Sequence, residues 1–123
     1  LLDELGILQS ELFRAVRLVV DTGMHYKRWT REEAMAYMKA KTGMSDTEVR
    51  VEIERYIVWP AQALSYKVGM IKILELRKKA QDALGEKFNI KDFHSALLDH
   101  GSPPLFIVEE KVNDMINNAK SLN

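Results

Sequence analysis

Arg14, Arg17, Asp21 and His25 recur every three or four residues, so a helix would set them in one stripe. Asp21 stands four residues from both Arg17 and His25, which allows a carboxylate to meet a guanidinium on one side and an imidazole on the other. The surrounding run "RLVVDTGMH" is otherwise apolar. A charged stripe on such a helix cannot face a dry core without partners. It faces water as a solvated ion pair, or it forms a wall of a polar cleft that shows Arg17, Asp21 and His25 to a ligand.

A second stretch, "ERYIVWPAQALSYKVG", gathers Arg55, Tyr56, Trp59, Gln62 and Tyr66 around Pro60. Gln62 and Tyr66 are four residues apart and would share a face after the proline. Two phenol hydroxyls and a guanidinium are suitable donors toward a developing oxyanion. Tyrosine and tryptophan also serve as core residues with a polar tip, so both readings stay open at this point.

Other chemistry finds less support. His25, His94 and His100 show no HExxH motif and no spacing of four, so a self-contained zinc site is not expected. No G-x-S-x-G elbow surrounds any serine, and no glycine-rich phosphate loop occurs. The basic run "KILELRKKAQ", with Lys72, Arg77, Lys78 and Lys79, reads as a solvated helix face.

The elements that must position these residues are helices. Leu5, Leu8, Leu12, Val16, Val19 and Val20 keep helical spacing over residues 3–24, and Gly23 offers a place to stop. Thr30 with Glu33, and Ser45 with Glu48, have the form of capping boxes. Pro60 predicts a break at Trp59 and the first turn of a new helix running to Gly85. Asn89 caps a short helix over 90–99, and Ser102 with Pro103-Pro104 opens the last one. No stretch alternates with period two. The expected fold is all-α, about six helices packed as an irregular bundle.

Composition sets the outer bounds. With 123 residues the chain can hold one modest domain. Lys+Arg and Asp+Glu both number 18, and this charge balance argues against nucleic-acid binding. Without cysteine, no disulfide or thiolate metal site can form, and the compartment is not identified. No apolar run approaches the ~20 residues of a membrane span. The chain opens on Leu1 inside a periodic pattern, which reads as a piece of a longer protein. Faces that meet missing sequence would then be apolar and exposed, and a homodimer through them is expected.

Three blocks carry a resemblance: "FRAVRLVVDTGMHYKRWTREEAMAYM", "EIERYIVWPAQALSYKVG" and "KILELRKKAQDALGEKFNIKDFHSALLDHGSPPL". From about Leu8 to Ile116 the chain resembles the C-terminal part of the bacterial domain of unknown function 885 family. Members of that family resemble HExxH zinc metallopeptidases, with an HExxPGHH-like helix and an EGWALY-like helix upstream. Neither motif is present here. The resemblance therefore implies the substrate-cleft part of a peptidase whose zinc and remaining fold belong to the rest of the parent polypeptide, and whose substrate is a peptide. The chain alone is expected to be inactive. By weaker analogy with peptidases similar to angiotensin-converting enzyme, Arg55-Tyr56 would face the metal. Tyr56 and His25 would then support the transition state, with Tyr66 competing for the tyrosine role and Arg17, Asp21, Arg55 and Gln62 binding substrate. Ala61 stands where many members have glycine, which predicts a stiffer helix after Pro60. The alternative is a non-enzymatic helical interaction module.

Overall fold

The computed structural model describes residues 2–121. Among them are six α-helices and one 3-10 turn, with no strand: α1 (Leu2–His25), α2 (Arg31–Thr42), α3 (Asp46–Val58), α4 (Ser65–Leu84), the turn Gly85–Lys87, α5 (Ile90–Leu98) and α6 (Leu105–Ser121). None of these helices is long and apolar enough to cross a membrane. The helices form two compact units, one ending at Val68 and the other starting at Gly69.

In the first unit α1 packs against α2 and α3, and α2 against α3. Val16, Val20, Met38, Val49, Ile53 and Tyr56 form its core. Both capping boxes are made. Thr30 and Ser45 accept from the backbone N–H of Glu33 and Glu48, and each glutamate accepts from the backbone N–H of its cap. Such caps satisfy helix-end N–H groups that would otherwise lack partners. Gly43 closes α2 at φ 69°, a left-handed position that glycine takes without a Cβ clash.

Two details differ from the sequence reading. Gly23 does not end its helix, since α1 runs on to His25. The Trp29 ring lies against Gly23 so closely that a Cβ there would overlap it. Glycine is therefore explained by close approach, and Trp29 also packs on Tyr37 with centroids 5.3 Å apart. The second detail is the segment after Pro60, which is a run of turns from 60 to 64 rather than the first turn of a helix. Ala61 has φ 69°. The alanine does not stiffen a helix; it occupies a backbone region that costs an L-residue roughly 1–2 kcal/mol.

The second unit has its own core. Leu76, Ala80, Phe93, Val108, Val112 and Ile116 come together from α4, α5 and α6. Lys72 on α4 pairs with Glu109 on α6 at 2.8 Å.

Candidate functional site: an arginine and tyrosine network in the first unit

Among the described residues, Arg17 and Asp21 are the buried charged ones, 3% and 2% exposed. A plain solvated face is thereby excluded for them, and each has found partners outside α1. Arg17 Nη2 donates to Gln62 Oε1 at 3.1 Å. Its guanidinium lies among three rings, 5.5 Å from the centroid of Phe13, 5.4 Å from Tyr56 and 4.8 Å from Tyr66. Such rings offset part of the desolvation cost of a buried cation. Arg17 Nε is sealed from water with no hydrogen-bond partner.

Asp21 does not act by holding Arg17 or His25. Both of its oxygens accept from the backbone N–H of Ala61, at 3.2 and 3.1 Å. The carboxylate thus ties the strained turn after Pro60 to α1. Through that tie it sets where Gln62 and Tyr66 lie.

His25, at the exposed end of α1, bonds through Nε2 to the Tyr56 carbonyl oxygen at 3.0 Å. A carbonyl only accepts, so Nε2 carries the proton and Nδ1 is the nitrogen that can accept.

Tyr56 is itself buried, 1% exposed. Its hydroxyl donates to Glu52, which also accepts from Arg55 Nη2 at 3.2 Å. Burial pushes the Tyr56 phenol well above its ordinary range, and the Glu52 carboxylate adds to that rise. Arg55 Nε is sealed and unpartnered like that of Arg17. Tyr66, by contrast, is 47% exposed, and its hydroxyl accepts from Gln62 Nε2 at 3.4 Å. Tyr66 is thus the phenol presented outward.

The two stretches singled out in the sequence therefore meet in one network. Arg17, Gln62, Tyr66 and Tyr56 are joined directly, Arg55 through Glu52, and Asp21 and His25 through the backbone of 61 and 56. Sequence reasoning missed Glu52 and Phe13. The spacing of Glu52 to Tyr56 and to Arg55 was the available signal for the first. Nothing distinguished Phe13 from the other apolar residues of α1. Phe13 and Glu52 also line a cavity of 330 Å³ with Met44, Thr47, Glu48 and Val51. A larger concavity of 510 Å³ lies in the second unit, beside Asp92, Asp99, His100 and Asp114, and shares no side chain with the network.

Among the described residues, no three His, Cys, Asp or Glu side chains gather closely enough to hold a metal ion. The network around Arg17 is built of guanidinium, amide and phenol groups. What it offers is a buried cation, a phenol O–H donor and an imidazole Nδ1 acceptor, from Arg17, Tyr66 and His25.

No curated protein matches the chain. A crystal structure does, that of "the putative lipoprotein from Colwellia psychrerythraea", with 54% sequence identity and a TM-score of 0.92. The match takes in 94% of this chain and 20% of that one, so the chain spans about a fifth of the length of its structural relative. The family model described as "Bacterial protein of unknown function (DUF885)" matches residues 1–112, and the chain belongs to that family.

Proposed function

We propose that this chain is the C-terminal substrate-cleft portion of a zinc-dependent peptidase, inactive alone, with the metal held by the rest of the parent polypeptide. The observation that carries this reading is the meeting of Arg17, Gln62, Tyr66 and Tyr56 around one buried guanidinium. A network built only for stability gains little from burying an arginine whose Nε lacks a partner. A preorganised cation beside an outward phenol suits a site that stabilises negative charge.

In this reading zinc, held elsewhere, supplies activated water and carbonyl polarisation. The residues of this chain do the remaining work. Tyr66 donates its hydroxyl proton in a hydrogen bond to the developing oxyanion. His25 presents Nδ1 to the substrate, its ring oriented by the Tyr56 carbonyl. Tyr56, bonded to Glu52, holds Arg17 and Arg55 in place. Asp21 fixes the turn that carries Gln62 and Tyr66.

The test is peptide hydrolysis by the zinc-loaded full-length protein carrying His25→Ala or Tyr66→Phe. Loss of an oxyanion donor such as the Tyr66 hydroxyl costs ~10²–10³ in rate. Turnover should fall by much more than the shift in thermal midpoint explains. Near-normal hydrolysis by both variants would contradict the reading.

A further inference from the structure

Arg14 lies one turn before Arg17 on α1, and its guanidinium rests over the Tyr66 ring at 4.2 Å. Arg17 rests on the same ring at 4.8 Å. Two like charges on one phenol repel, and a protein normally answers that with a carboxylate. The nearby carboxylates are engaged elsewhere. Asp21 is held by the Ala61 N–H, Glu52 by Arg55 and the Tyr56 hydroxyl, and Glu11 by Lys67 at 2.8 Å. Among the described residues neither Arg14 nor Arg17 has an acidic partner. Arg17 is buried with Nε unpartnered, while Arg14 is half-buried and Tyr66 half-exposed.

We propose that Arg14 and Arg17, set together on the Tyr66 ring, form a carboxylate-binding subsite of the peptide cleft, with Arg14 as its specificity-determining side chain. This rests on the cleft reading above. Arg14 and the Tyr66 hydroxyl are the groups the ligand touches. The phenol accepts from Gln62 Nε2 and keeps its own proton to donate. Arg17 lies behind them and holds the local potential positive. A guanidinium matches a carboxylate as a planar, charge-assisted donor pair. The ligand carboxylate is either the C-terminus of the peptide or an acidic side chain.

Calorimetric titration of the full-length protein separates these sources. Three versions of one short N-blocked peptide serve as probes: the free acid ending in leucine, its C-terminal amide, and an amide with glutamate in place of the leucine. The free acid, the glutamate amide or both should bind on the order of tenfold or more tighter than the neutral amide, as expected for hydrogen bonds to charged groups. Preference for the free acid assigns the C-terminus, and preference for the glutamate amide assigns the side chain. Arg14→Gln should erase the preference without moving the thermal midpoint, and Arg14→Lys should restore part of it. Arg14 is chosen because removing the buried Arg17 would unsettle the unit itself. Equal binding of all three peptides, or a preference that survives Arg14→Gln, would overturn the proposal. Binding needs no turnover, so its failure is separable from that of the peptidase reading. Carboxylate preference without hydrolysis supports the subsite and removes the catalytic role. Hydrolysis without the preference does the reverse.

Discussion

Ala61 adopts φ 69°, and its N–H is gripped by both oxygens of Asp21. The left-handed position strains any residue with a Cβ, and glycine relieves that strain while costing some unfolded-state entropy. Ala61→Gly should therefore raise stability by up to about 1 kcal/mol. Denaturant midpoints of the two proteins check this, and a loss of stability would mean that the turn does not hold that backbone. Tyr56 gives a second prediction at this scale. Its phenol is raised above the ordinary 10.0, mainly by burial. The stability it contributes is fully present below pH 10.0 and is lost as pH rises toward the folded-state value. Alkaline absorbance titration should show one tyrosine ionising only as the fold is lost, and Tyr56→Phe should remove that late step. The shared stripe of Arg17 and Asp21 could be read from the sequence, because helical period alone sets it, whereas Gln62 meets Tyr66 from the turns before α4. The partner of Asp21 could not be read there. A backbone N–H in a left-handed turn has no letter in the sequence, and alanine at 61 hides the signal that glycine would have given.

The helices and their ends were largely legible. Thr30 with Glu33 and Ser45 with Glu48 announced two starts, because the motif is local and its chemistry lies within four residues. The segment after Pro60 was not legible as turns. Proline suits a first helical turn equally well, and the contact of Asp21, on another helix, with the Ala61 N–H is not written in the local sequence. Both capping glutamates are held below the ordinary 4.5, Glu33 chiefly by the Thr30 backbone N–H and Glu48 chiefly by the Ser45 hydroxyl. A depressed carboxyl contributes stability above pH 4.5 and loses it as pH falls through the folded-state value. Acid titration followed by circular dichroism should show helix loss in that window, and it should be shallower in the Glu33→Gln, Glu48→Gln double variant. An unchanged profile would mean that the boxes do not hold the carboxylates charged. At the end of α1, Gly23→Ala should cost about 1–3 kcal/mol, since the new methyl must displace the Trp29 ring. A neutral result in thermal melting would show that the ring moves freely.

At the scale of the molecule, two cores share one chain. All-α architecture followed from periodicity, but the division at 68 and 69 falls inside one continuous helix, α4, where no change of composition marks it. Phe93 is 1% exposed in the second core, so Phe93→Ala should cost that unit about 3–5 kcal/mol. Hydrogen exchange should show the loss first in α5 and α6. Apolar residues also stand exposed on the first half of α1, with Ile7 67% and Leu8 62% accessible. An exposed apolar face of this kind favours self-association. Sedimentation of the chain should then show concentration-dependent dimers that Ile7→Gln with Leu8→Gln disperses.

In the proposed cleft, the network around Arg17 presents Tyr66 to a reacting peptide. Steady-state kinetics and thermal melting of the zinc-loaded full-length protein with Tyr66→Phe test it most directly. The substitution removes one exposed oxygen and leaves the ring that carries both guanidiniums. The kcat should fall on the order of a hundredfold, with the melting temperature unmoved. Wild-type kcat at an unmoved melting temperature would contradict it.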